Sequence, residues 1–148
     1  MPADTQAAAK PSLTLRRRIR AAPARVYAAW TDPTQLTRWF SPAGNPVLLA
    51  ETDVRVGGRF RIRFESAPGE VNDVSGVYRE VVADRKLVFT WAWHSTPERE
   101  SLVTIDVKPD DDGCVLTLTH EQFFDEKARD DHKGGWTALL DRLDGLLS

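Results

Sequence analysis

Apolar and polar residues alternate along most of the chain, and the points where the period changes mark its elements. Over residues 12–20, Leu13, Leu15 and Ile19 share one parity while Thr14, Arg16, Arg18 and Arg20 share the other, which predicts a strand with one covered face. Arg17 falls on the apolar parity, so it needs a carboxylate partner or a route to water at the strand end. The period then lengthens. Pro23 suits a first helical turn, and Val26, Tyr27 and Trp30 follow at helical spacing, so residues 22–30 read as a short helix. Asp32 precedes Pro33, with Gln35 three positions after the Asp. That is the pattern of a capping box, opening a second short helix with Leu36, Trp39 and Phe40. The prolines and glycine of residues 41–46 end it.

Period two returns at residue 47. A strand over residues 47–56 leads into Gly57-Gly58, after which Phe60, Ile62 and Phe64 alternate with Arg59, Arg61 and Arg63. Pro68-Gly69 turns the chain into residues 71–82, where Glu80 shares the parity of Tyr78 and Val82. Leu87, Phe89, Trp91 and Trp93 group on one side of the next strand, Val103, Ile105 and Val107 on the following one, and Cys114, Leu116, Leu118 and His120 on the last. Consecutive strands with short turns predict a mostly antiparallel sheet. From about Asp125 to Leu147 the spacing is helical again: Trp136, Leu139, Leu140, Leu143, Leu146 and Leu147 form an apolar stripe. His132 lies one turn earlier on that stripe, and Asp141, Arg142 and Asp144 take the other side. Gly134 and Gly135 each cost about 1 kcal/mol relative to Ala inside a helix, so a bend or a close approach of another backbone is expected there. Residues 1–11 carry no apolar period and read as a flexible tail ahead of one domain at 12–148.

Composition agrees with a single soluble domain: 148 residues, 41% hydrophobic and 28% charged. No run approaches the ~18–20 apolar residues of a membrane span, and the opening residues lack a basic stretch followed by an apolar one, so a cytoplasmic protein is expected. Twenty Lys and Arg against 22 Asp and Glu give a net charge of -2, which supplies no general attraction to nucleic acid or anionic lipid. The single Cys114 excludes an internal disulfide and a cysteine-only zinc site. The five tryptophans are many for this length.

The stretches PARVYAAWTDPTQLTRWFSP, VGGRFRIRF, GVYREVVADRKLVFTW, LTLTHEQF and HKGGWTALLDRL occur in this order. Together they resemble the heat shock protein 90 ATPase activator homologue-like family, within the START-like (SRPBCC) superfamily, over roughly Leu13 to Leu147. The resemblance implies an α+β helix-grip fold of the Bet v 1-like kind. In it a curved antiparallel sheet surrounds a long C-terminal helix, and two short helices close one end. It also implies a space between sheet and helix that in such proteins often holds lipids, sterols, polyketides or other apolar molecules. The eukaryotic namesake is a two-domain co-chaperone. This chain lacks the length for the additional N-terminal domain and that domain's Asn- and Trp-rich opening motif, so a chaperone partner is a secondary expectation.

Candidate chemistry is sparse. There is no GxSxG elbow, and Cys114 has no His or Asp at a diagnostic spacing. The three histidines His94, His120 and His132 form no HxH, HExxH or comparable pair, and Gly57-Gly58 lacks the lysine and length of a phosphate loop. No metal or cofactor is expected. His94 has the parity opposite to Trp91 and Trp93. What remains is polar groups on apolar faces: His120, His132 and Glu80. Left unpaired when buried, each would cost about 1–3 kcal/mol, so they either pair with one another or orient a ligand. An imidazole with a pKa near 6.5 keeps a cyclase-like acid–base role as the alternative.

The aromatics pose the parallel question of core against pocket. An empty apolar cavity of ~300 Å³ at ~24 cal/mol per Å³ costs on the order of 7 kcal/mol, against a total stability of about 5–15 kcal/mol. Such a cavity therefore either holds ligand or water, or is closed by bulky side chains. The expected function is binding of an apolar or amphipathic small molecule between sheet and C-terminal helix, without catalysis. Trp91, Trp93, Leu118, Trp136 and Leu140 would supply contact area, and His120 and His132 would be polar anchors.

Overall fold

The structure is a computed structural model and describes residues 10–148. The expected tail lies outside the described residues except for Lys10 and Pro11; the Pro11 carbonyl accepts the Phe123 N–H at 3.2 Å. Strand β1 (Leu13–Ile19) is followed by the short helices α1 (Pro23–Thr31) and α2 (Pro33–Trp39) and a single 3₁₀ turn at Pro42–Gly44. Six strands follow: β2 (Val47–Thr52), β3 (Arg59–Ala67), β4 (Glu70–Val82), β5 (Lys86–Trp93), β6 (Ser101–Asp110) and β7 (Gly113–Glu121). The long helix α3 (Glu126–Leu147) ends the chain. The strands form one antiparallel sheet in the order β1-β7-β6-β5-β4-β3-β2. Hairpin neighbours pair in sequence, and β1 returns to lie beside β7, so the first and last strands share one edge region. The fold is the expected helix-grip.

Local chemistry explains the element ends. Pro33 stands at the first position of α2, and Asp32 caps that helix by accepting the Thr34 N–H at 2.9 Å. The cap is thus made through the second residue of the helix, not in the reciprocal form with Gln35 that the spacing suggested. Asp125 caps α3 through the Ala128 N–H at 2.8 Å.

The alternating faces fall where the pattern placed them. Phe60, Ile62, Phe64, Leu87, Phe89, Trp91, Val103, Ile105, Val107, Leu116 and Leu118 are buried against the α3 stripe of Trp136, Leu139, Leu140, Leu143 and Leu147. Arg17, on the apolar parity of β1, meets the carboxylates of α3: it lies 2.7 Å from Asp141 and 3.8 Å from Asp144.

Two expectations are corrected. Glu80 does not share the inward face of Tyr78. The β4–β5 register shifts between Tyr78 and Glu80, and this bulge turns Glu80 outward to Lys86 at 3.4 Å. Gly134 and Gly135 do not mark a close approach of another backbone. The helix runs through both, and a Cβ at either would meet nothing within 4 Å.

The interior of the grip is filled by rings. Trp30 packs on Trp39 with centroids 4.8 Å apart, Phe60 on Phe89 at 5.1 Å and Trp91 on Trp136 at 5.0 Å. The void left among Trp30, Phe60, Tyr78 and Phe89 is about 20 Å³. Among the described residues, the end closed by α1 and α2 is thus packed around a void of that small size rather than around a deep cavity. The available volume lies elsewhere.

Candidate functional site

That volume is a cleft of about 380 Å³ between α3 and the sheet face of β3 to β5. Phe64 of β3, Trp91 and Trp93 of β5, and Trp136 and Leu139 of α3 form its apolar wall, and Phe40 and Pro42 after α2 close one end. Ser66 and Asn72 reach it from the β3–β4 hairpin, and Asp131, His132 and Gly135 from α3. Gly135 widens the cleft because it carries no side chain and its Cβ direction is open. Since Ser66, Asp131 and Gly135 are exposed, the cleft is continuous with solvent, so water rather than vacuum fills it when empty. The cost of a dry void does not apply.

A hydrogen-bonded set of histidines and tryptophans forms the back of the cleft. His132 sits one turn before Trp136, its Nδ1 2.7 Å from the Ala128 carbonyl. A carbonyl only accepts, so Nδ1 carries the proton and Nε2 is the acceptor. Nε2 receives the Trp93 indole N–H at 3.0 Å and, more distantly, that of Trp91 at 3.3 Å. His120, fully buried on β7, repeats the arrangement with the opposite tautomer. Its Nδ1 accepts the Trp136 N–H at 3.0 Å, so Nε2 donates to the Ser101 Oγ at 2.7 Å. The Ser101 hydroxyl in turn donates to the Trp91 carbonyl at 3.3 Å.

Three of the five indole N–H groups are thus satisfied by two imidazoles. Protonating either ring would set N–H against N–H. Burial pushes the His120 pKa down to about 2, with neighbouring His132 adding to the shift, and burial also lowers the pKa of His132. Both rings are therefore neutral at pH 7, with neither nitrogen turned to the cleft as an acid or base.

Of the residues expected at the site, Trp91, Trp93, His132 and Trp136 stand on the cleft wall. Leu118, His120 and Leu140 do not. They lie buried in the core, and His120 supports the wall from behind through Trp136. The wall also contains residues that sequence reasoning did not single out, namely Phe40, Pro42, Ser66, Asn72, Asp131, Gly135 and Leu139. Leu139 was readable, being one turn beyond Trp136 on the same stripe, and Asp131 and Gly135 flank that stripe. Ser66 and Asn72 carry no local signal, because only the fold of the hairpin brings them to α3.

A smaller hollow of about 200 Å³ adjoins the cleft on the far side of His132. Arg99, Phe124 and Lys127 line it, and it shares Trp91, Trp93, Asp131 and His132 with the cleft. Arg99 stacks over the Phe124 ring at 3.8 Å. His94 is on the opposite side of the sheet, exposed, as its parity predicted.

A seven-stranded antiparallel sheet gripping one long helix, with an aromatic cleft between them, defines a START-like domain. Residues 20–148 match the family model described as Activator of Hsp90 ATPase homolog 1-like protein, and the chain belongs to that family. Among solved structures, it is similar to protein CV1439 from Chromobacterium violaceum, with 27% identity, a TM-score of 0.83, and coverage of 92% of this chain and 96% of that one. The AHSA1 (SPO3351) protein from Silicibacter pomeroyi is 28% identical with a TM-score of 0.79, over 91% of this chain and 96% of that one. CalU16 from Micromonospora echinospora is 29% identical with a TM-score of 0.70, over 89% of this chain and 73% of that one. No curated protein matches the chain. Among the described residues, no helix is long and apolar enough to cross a membrane.

Proposed function

We propose that this domain binds an apolar or amphipathic small molecule in the cleft between α3 and β3 to β5. The observation that carries the reading is the cleft itself. Its about 380 Å³ falls within the ~300–1,000 Å³ of small-molecule sites, and its wall is aromatic with few polar groups. The helix-grip interior is otherwise packed with rings, so this is where apolar surface remains open to a guest. Trp91, Trp93 and Trp136 supply contact area. His132 holds two of these indoles in place and so fixes the shape of the wall, while Leu118, His120 and Leu140 support it from the core. Catalysis is not part of the proposal, since both candidate imidazoles are occupied by the protein's own groups and Glu80 faces outward.

The test uses Gly135, where a side chain would project into the cleft without meeting protein atoms. Tryptophan fluorescence of the wild type should respond saturably to 1-decanol. Gly135→Leu should lose that response while unfolding at a higher urea concentration, because replacing a mid-helix glycine adds about 1 kcal/mol. Opposite effects on binding and stability separate blockage from misfolding. An unchanged decanol titration in a stable Gly135→Leu would place binding elsewhere and sink the proposal.

A further inference from the structure

The hydrogen-bond inventory of the cleft says what kind of head group it accepts, given the binding function proposed above. Each side-chain N–H on the wall is already spent within the protein. The Trp91 and Trp93 indoles donate to His132, Trp136 donates to His120, and the Nδ1–H of His132 donates to the Ala128 carbonyl. Asn72 Nδ2 donates to the Ser66 Oγ at 2.8 Å and to the Glu70 carbonyl at 3.2 Å. The Glu70 carbonyl fixes the orientation of that amide, since turning it over would set two oxygens together. Acceptors remain: the Asn72 Oδ1 and the Asp131 carboxylate. Among the described residues, Asp131 is also the single formally charged group on the cleft wall. An anionic head placed there would face a carboxylate and find one side-chain donor on the wall, the Ser66 hydroxyl, which already lies 3.4 Å from both the Glu70 carbonyl and its carboxylate, whereas a cation would find an opposite charge and the π-faces of tryptophan-rich walls.

Lys127 offsets part of this. Its Nζ lies 2.9 Å from Asp131 Oδ2, but the pair is exposed on both sides, and an exposed pair of this kind is weak and exchangeable. Lys127 and Arg99 line the adjoining hollow rather than the cleft.

We propose that the cleft selects amphiphiles with a cationic head over those with an anionic one, Asp131 receiving the head and the tryptophan wall the tail. Three ligands with the same ten-carbon chain test this: decyltrimethylammonium, 1-decanol and decanoate, each below its aggregation threshold and followed by tryptophan fluorescence at low ionic strength. Decyltrimethylammonium should bind at least about fivefold more tightly than decanoate. Asp131→Asn should reduce that ratio to near one, Asp131→Lys should invert it, and Lys127→Ala should widen it. These positions are exposed on the outer turns of α3, so the variants should keep the wild-type fold, checked by circular dichroism. Equal or tighter binding of decanoate overturns the charge assignment while leaving the cleft reading intact. A cation preference that survives Asp131→Asn also overturns it, since net protein charge would then explain the preference. Binding of none of the three removes the cleft reading itself.

Discussion

Each buried imidazole in this protein takes an indole N–H on one nitrogen and gives its own N–H from the other. That arrangement makes neutrality a condition of the fold and gives stability a definite pH dependence. In the unfolded chain His120 titrates near 6.5, while in the folded protein burial pushes it down to about 2. Between those values the unfolded state binds a proton that the folded state refuses, so stability rises with pH across the window. The contribution is fully present above pH 6.5 and is lost as pH falls toward the folded value, at about 1.4 kcal/mol per pH unit for one such imidazole. Burial lowers His132 as well, which adds in the same direction. Asp73 and Asp112, held below the usual carboxylate range by hydrogen bonds from Arg61 and Arg18, lose their contribution only below about pH 4, where unfolded carboxyls begin to protonate. The interval from pH 6.5 to 5 therefore belongs to the histidines. Urea unfolding at pH 7.5, 6 and 5 should show a falling free energy, and His120→Gln should flatten the slope. Equal stability across that interval in the wild type would contradict the buried neutral pair.

At the scale of elements, β4 and β5 depart from a regular ladder at the place where they pass under the rings. The Val77 N–H donates to the Thr90 Oγ1 at 2.8 Å instead of to a carbonyl of β5, and the bulge beyond Tyr78 follows two residues later. Gly76 makes this possible. A Cβ there would overlap the Thr90 carbonyl oxygen and press on the Phe60 ring. Gly76→Ala should accordingly destabilise by about 2–3 kcal/mol, seen as a lower urea midpoint with little change in slope. Gly134→Ala is the counterpart in α3: its Cβ meets nothing within 4 Å, so removing the helix penalty should stabilise by about 1 kcal/mol. The two substitutions are chemically identical. Their opposite signs come from what stands around each glycine.

At the scale of the whole molecule, α3 is held to the rest by groups on its nominally polar side. Asp141 and Asp144 engage Arg17 of β1, while Arg142 donates to the carbonyl of Arg38 in the last turn of α2 and to that of Ser41 just after it. The second clamp fixes the segment carrying Phe40 and Pro42, which closes one end of the cleft. Arg142→Met keeps the apolar stem and removes the donors, leaving the Ser41 carbonyl without its guanidinium. It should cost about 1–3 kcal/mol and weaken decanol binding, with both effects small in Arg142→Lys if a single donor suffices. A binding loss without a stability loss would mean that Arg142 acts on the ligand directly rather than by holding the wall.

The sequence by itself determined the elements and most of their faces, because hydrophobic period is a local property. The alternation in β3 and β5, the stripe of α3 and the family motifs led to the helix-grip, and they placed Trp91, Trp93, His132 and Trp136 on inward faces. Parity failed at Glu80, where one extra residue in β4 exchanges inside for outside and leaves no trace in composition. Nor could parity separate wall from core. Leu118, His120 and Leu140 face inward as surely as Trp93 does, yet they lie behind the rings rather than on the cleft. Which inward residues meet solvent depends on how far α3 stands from each strand and on which rings fill the gap. The hairpin that carries Ser66 and Asn72, the clamp at Arg142 and the missing side chain at Gly135 set those distances. They involve residues far apart in the chain, so only the tertiary structure decided them.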